Sequence, residues 1–284
     1  MLFRSAMRQK SWLFILIPLL LHSAEALAWG LATHLYFAQL LIWAVPLLDP
    51  RLRAAAKRFP QLVLAGACLP DLALVGRVAT TDAFEDSHDW GQAARLLAHA
   101  ETDEARAIAL GYASHLFVDI IAHNHFVPAH ERMWLKLPMV THAMSEWAMD
   151  AHIARHLFSM PSQLLRDHHD TLAQYITAEF DCDPQAAASA LKYLQHATAF
   201  LYGTRAHRLL YVGAMSLDRD LAQRFDYYVT GTAARLPQIN RLLVGEAPSW
   251  RADFACPERT GHLKHLTRTE VRGDLPLPLS LFAY

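Results

Sequence analysis

The sequence predicts an all-α, single-domain helical bundle, and three observations predict it. Apolar residues recur at helical spacing over most of the chain, from about residue 35 to 232. Alternating runs of the β type and hairpin turns such as Asn-Gly are absent, and no repeat or low-complexity linker divides the chain.

The first element is a leader. Arg4, Arg8 and Lys10 form a positive start, residues 12–21 are apolar, and Ala26-Leu27-Ala28 is a small-residue cleavage signal. Ten apolar residues fall short of the roughly 20 that a spanning helix needs. Residues 1–28 therefore read as a signal peptide, with a mature domain at 29–284 exported to the periplasm or the medium. Residues 35–48 are apolar and end at Asp49-Pro50. Residues 93–122 are rich in Ala and Leu, broken only by Glu101-Thr102-Asp103-Glu104. Residues 139–158, 161–180, 184–201 and 216–232 each show helical spacing, several with Pro or Ser/Asp near the start. Four prolines (Pro248, Pro257, Pro276, Pro278) make the tail from about 246 irregular, packed as a strap.

Composition narrows the function. The chain has 26 basic and 27 acidic residues, of which the leader holds three and one, leaving a mature charge of about −3. That balance gives no general attraction to nucleic acid or anionic lipid. Cys68, Cys182 and Cys256 are too few for a disulfide framework and are not spaced as a zinc-thiolate site, although export would permit one bridge. The anomaly is 17 histidines.

Three metal-type side chains, His115, Asp119 and His123, lie four residues apart in SHLFVDIIAHNHF. On a helix they form one stripe, and their apolar neighbours make that helix a buried one. Imidazole and carboxylate buried without partners cost several kcal/mol, which a cation offsets. His142 and Glu146 repeat the spacing. Nitrogen and oxygen ligands gathered between helices suit zinc. The pair His152 and His156 has the same spacing but is given no role.

The ordered set Trp29-Gly30, Thr33-His34, Leu69-Pro70-Asp71, Ser87-His88, His115 to Asp119 and His142 to Glu146 resembles the zinc-dependent phospholipase C superfamily. That superfamily also contains the catalytic domain of glycosylphosphatidylinositol-specific phospholipase D and the fungal single-strand-specific zinc nucleases. The resemblance spans residues 29–146 and implies a helical fold of that type holding three zinc ions in a cleft. Trp29, through its α-amino group and carbonyl, and His34 would bind one ion. Asp71, His88 and His115 would bind a second, with Asp119 bridging the pair, and His142 and Glu146 would bind the third. The third ion's other histidine is His123 by the phospholipase D pattern or His125 by the bacterial phospholipase C pattern. The latter pattern has a helix-breaking proline that is missing here, so His123 is preferred, on a helix running unbroken through it with Pro128 as the nearest breaker.

The implied chemistry is hydrolysis of a phosphodiester by a zinc-bound hydroxide, with Asp71 as general base and Asp119 as the bridging carboxylate. No Gly-x-Ser-x-Gly elbow offers a serine nucleophile. The expected substrate is a phospholipid or another phosphodiester, with transient contact to a membrane surface and no specific protein partner. The alternative is a single-strand-specific nuclease. It is favoured by the five-residue step from Trp29 to His34 and disfavoured by Glu146, where the nucleases tend to use aspartate. A zinc-binding exported protein without catalysis ranks third.

Overall fold

The computed structural model describes residues 30–134, 137–253 and 260–283. Among these the chain is helical with no β-strand. The centre is α5 (Asp103–Ile121), following α1 (Leu31–Ala44), α2 (Pro50–Arg58), α3 (Pro60–Gly66) and α4 (Trp90–His99). Thr102 caps α5 by accepting the Ala105 N–H, and Asp103 and Glu104 occupy its positive first turn. Residues 107–121 are then buried without interruption, and α1 to α4 all pack on them. The helical run from Asp103 to Met133, of which α5 is the first part, is the one described helix long and apolar enough to cross a membrane, but 89% of its apolar window is buried inside the fold. It is a core helix whose polar residues must be satisfied from within.

Gly111 decides how closely α3 approaches α5. A Cβ there would lie 1.9 Å from the Val63 carbonyl oxygen, so only glycine permits the crossing. One turn on, on the same face, stands His115.

α5 passes into a π turn (Ala122–Phe126), closed by the Val127 N–H donating to the Ala122 carbonyl, and then into α6 (Val127–Met133). The expectation of an unbroken α-helix through His123 is thus corrected. The α-form ends at Ile121, two residues earlier, and Pro128 starts the next helix instead of breaking this one. A proline cannot donate back to residue 124 and its ring crowds that carbonyl, and the wider i→i+5 turn accommodates both.

α7 (Pro138–Ile153) follows, then α8 (Pro161–Asp167), α9 (His169–Glu179), α10 (Pro184–Gly203), α11 (Ala206–Leu217) and α12 (Leu221–Arg235). Three expected boundaries move. The apolar stretch at 35–48 is helical only to Ala44, and Asp49 caps α2, a helix the periodicity missed. The stretch at 161–180 divides at His168, and the stretch at 216–232 is the end of one helix and most of another. The described part of the tail holds a 3-10 turn at Gly261–His265 and a short helix at Arg268–Gly273, the latter held by a Thr267/Glu270 capping box.

Candidate metal centre

Four segments deliver side chains to one buried cluster. His34 comes from the first turns of α1, Asp71 from the 3-10 turn Pro70–Leu74, His88 from the loop before α4, and His115 and Asp119 from α5. The approach that Gly111 permits brings the Ala67 carbonyl to His115, whose Nδ1 donates to it at 2.8 Å. Ser87 does the same for His88. Its hydroxyl donates to the Pro70 carbonyl at 2.8 Å, so from His88 Nδ1, 3.2 Å away, it can only accept. Tyr112 donates to the Ser87 carbonyl and fixes that loop on α5.

With Nδ1 protonated in both rings, the neutral form of each turns an Nε2 lone pair toward the cluster. His115 Nε2 lies 3.1 Å from Asp119 Oδ2 and 3.7 Å from Asp71 Oδ1. His88 Nε2 lies 3.6 Å from Asp119 Oδ2 and 4.0 Å from Asp71 Oδ1. The His34 ring stacks on His115 at 3.6 Å and 7°, and its Nε2 lies 3.2 Å from the other Asp119 oxygen, Oδ1. Asp119 Oδ1 thus faces His34, and Oδ2 faces His115 and His88. None of these contacts has hydrogen-bond geometry, which leaves both Asp119 oxygens and the three Nε2 atoms buried and unsatisfied.

In the sets His34, His115, Asp119 and Asp71, His88, His115 the ligand atoms lie within 4.8 Å of one another. Lone pairs aimed at carboxylate oxygens repel unless something positive lies between them. The donor set therefore fits a divalent cation of the zinc type.

Burial opposes ionisation of Asp119, and positive charge on His115 and His34 would hold its carboxyl well below the ordinary range; a cation between the rings and the carboxylate would act in the same direction. Burial pushes Asp71 up to about 7, opposed by His115 and reinforced by the carboxylates of Asp119, Glu146 and Asp150. Burial lowers His88 to about 4 and His123 to about 3, against the pull of Asp119 on both. These rings are neutral at pH 7, the form that binds metal.

A third group lies at the start of α7. His142 Nε2 is 2.8 Å from Glu146 Oε1, and the His123 and His142 rings are 5.8 Å apart. Burial raises the Glu146 carboxyl to about 7, with His142 pulling the other way. His125 is not brought here. Its ring meets Trp250 edge-on at 4.8 Å, and the charges it feels are those of Arg235 and His262. Trp29 lies outside the described residues, as does Cys256, while Cys68 and Cys182 are free thiols. His152 and His156 diverge, the former to Asp226 at 2.8 Å and the latter to Arg155 at 3.0 Å.

The family model described as zinc dependent phospholipase C matches residues 33–182, just over half of the chain and all of these groups from His34 to Glu146. The chain belongs to the zinc-dependent phospholipase C family. Neither a curated protein nor a solved structure matches it. Membership makes it a zinc-dependent hydrolase of the phospholipase C type, with an all-α fold as expected.

Sequence reasoning missed the residues around these groups. Ser87 and the Ala67 carbonyl orient two rings. Glu131 Oε1 stands 3.9 Å from His142 Nδ1, where a carboxylate can back that ring. Asp150, buried one turn beyond Glu146, prolongs the stripe of His142 and Glu146. Only this last had a signal in the sequence, its i+4 spacing.

Proposed function

We propose that the chain is an exported phosphodiester hydrolase acting on phospholipids, with three zinc ions held by its own side chains. His34, with the α-amino group and carbonyl of Trp29, would hold one ion. Asp71, His88 and His115 would hold a second, with Asp119 shared between the two. His123, His142 and Glu146 would hold the third. The observation that supports this is the set of buried Nε2 and carboxylate atoms around Asp119 that lack hydrogen bonds.

Zinc bound there supplies a water acidic enough to attack at neutral pH and neutralises charge growing on the phosphate. The protein's part is orientation. Ala67 and Ser87 fix the tautomers of His115 and His88, and the stacked His34 and His115 rings each present an Nε2 to a different oxygen of Asp119. Asp71 brings Oδ1 within 4.0 Å of both the His88 and His115 rings, and as a carboxylate at their edge it would take the proton of the attacking water. No side-chain nucleophile is needed, and burial pushes the nearby Cys68 thiol too high to serve as one.

The test uses chain that begins at Trp29, loaded with zinc, on vesicles of phosphatidylcholine, vesicles of a phosphatidylinositol lipid and single-stranded DNA. Diacylglycerol release from lipid, abolished by chelation and restored by zinc, is expected. Cleavage of DNA alone would make the protein a nuclease. Activity with no more than one zinc per chain would overturn the three-ion arrangement. One residue added before Trp29 should abolish activity by locking the amine in a peptide bond. Full activity from such a chain would remove Trp29 from the site.

A further inference from the structure

Asp150 is buried on α7, two turns beyond His142 and one beyond Glu146, yet its contacts are with α1. Gly30, which precedes α1, offers no side chain to cap the helix. Asp150 does so from 117 residues away. It accepts the Thr33 N–H at 2.9 Å, the Thr33 hydroxyl at 2.8 Å and the Ala32 N–H at 3.3 Å. Tyr202 of α10 completes the arrangement, donating to Asp150 and accepting from the Ala32 N–H at 3.2 Å. A Cβ on Gly30 would lie 2.2 Å from Asp150 Oδ2, so the carboxylate sits against bare backbone. His34 belongs to the same turn, its N–H reaching the Gly30 carbonyl at 3.4 Å.

We propose that Asp150 is a positioning residue: with Tyr202 it locks the first turn of α1 to α7 and so sets how the His34 ring meets Asp119. The inference rests on the zinc reading above for its functional consequence. A carboxylate at the positive end of a helix is favoured there, and one with four donors has no capacity left for a cation. Burial raises its proton affinity, and the hydrogen bonds from Tyr202, Thr33 and Ala32 oppose that rise. Through α7, Asp150 also joins the turn that carries His34 to the helix that carries His142 and Glu146. Displacement of this one contact would therefore be felt by two of the candidate zinc groups.

The chain that begins at Trp29, isolated with zinc, is compared with its Asp150→Asn and Tyr202→Phe variants. The measurements are zinc retained against a competing chelator, kcat and KM on a soluble phosphodiester, thermal midpoint, and the NMR resonances of the His34 and His115 rings. Asp150→Asn should weaken the loosest zinc by about 10–100-fold, the usual effect of losing an outer partner of a ligand. It should lower kcat with little change in KM, and move the two stacked-ring resonances together. Tyr202→Phe should move each in the same direction by less. If the variants melt earlier but keep zinc, kcat and ring resonances, Asp150 is only a helix cap and the proposal fails. If the unmutated chain holds no zinc, the zinc reading fails, while the ring resonances still decide whether Asp150 positions His34. Should Asp150→Asn not fold, Tyr202→Phe keeps its ring in place and decides the same question.

Discussion

Two buried stripes of this protein are built alike and used differently. On α5 and the π turn the residues are His115, Asp119 and His123, and on α7 they are His142, Glu146 and Asp150, each four apart. Asp119 and Asp150 are both fully buried aspartates on helices of the core. Asp150 accepts from two backbone amides and two hydroxyls, whereas neither oxygen of Asp119 has a hydrogen bond although three imidazoles crowd it. Spacing brings a carboxylate into the core, and the donors already waiting there decide whether it is structural or still needs a cation. A buried acid without donors is costly, so the unsatisfied one is the informative one.

The largest effect should come from the unsatisfied member. Asp119→Ala removes the carboxylate that two ions would share, and activity should fall by on the order of 10³-fold, the scale of losing a principal electrostatic element of an active site. Zinc content, measured by metal analysis after dialysis, should fall by more than one ion per chain. Near-normal zinc and rate in this variant would show that Asp119 is not shared, and the contrast with Asp150 would collapse.

The contrast also marks how far the sequence could be read. The central helix and the two stripes, His115, Asp119 and His123 and then His142 and Glu146, were legible because periodicity and ligand spacing are local properties, whereas His34, Asp71 and His88 entered only through the resemblance to a family and α2 was not read. Asp150 was not read, although its spacing from Glu146 was visible, because its role depends on Thr33 and Tyr202, which come from elsewhere in the chain. The orienting carbonyl of Ala67 has no side-chain signature at all. Its approach to His115 follows from Gly111, and a glycine in a helix does not announce which backbone it faces. The π turn escaped for a related reason. Pro128 reads as a breaker in isolation, and only a wider turn upstream turns it into the start of α6.

The third position of the α5 stripe offers the next effect in size. His123 feels Asp119, His142, His88 and His34, while His125 packs on Trp250 among Arg235 and His262. His123→Ala should therefore release one zinc and lower activity by at least about 10–100-fold, since even an outer partner of a ligand is worth that much. His125→Ala should leave zinc content alone and cost about 1 kcal/mol of stability from lost packing, a typical buried substitution. The reverse ranking would mean that the π turn opens to present His125, and that α5 ends differently when metal is bound.

The smallest effect is the most discriminating, because it counts protons. His88 and His123 have little to release on binding zinc above pH 5, since burial lowers them to about 4 and about 3. Asp119 releases none where positive charge beside it holds it below the ordinary carboxylate range despite its burial. Asp71 and Glu146 differ. Burial raises each to about 7, so below that pH both carry protons that a cation must displace. As pH falls through about 7 a growing fraction of these carboxyls is protonated, so zinc affinity should drop by about tenfold per pH unit for each proton displaced, and their effect should level off above about pH 8. Calorimetry of zinc binding at pH 6 in buffers of different ionisation enthalpy should report release of up to three protons, one from the α-amine of Trp29 and, shrinking toward zero by pH 8, one from each of the two carboxyls. Glu146→Gln should remove one of the two. Asp150→Asn should remove neither, because its carboxyl is committed to Ala32, Thr33 and Tyr202 whether or not metal is bound. Loss of a released proton in Asp150→Asn would place that carboxyl among the metal-coupled acids and erase the difference between the two stripes.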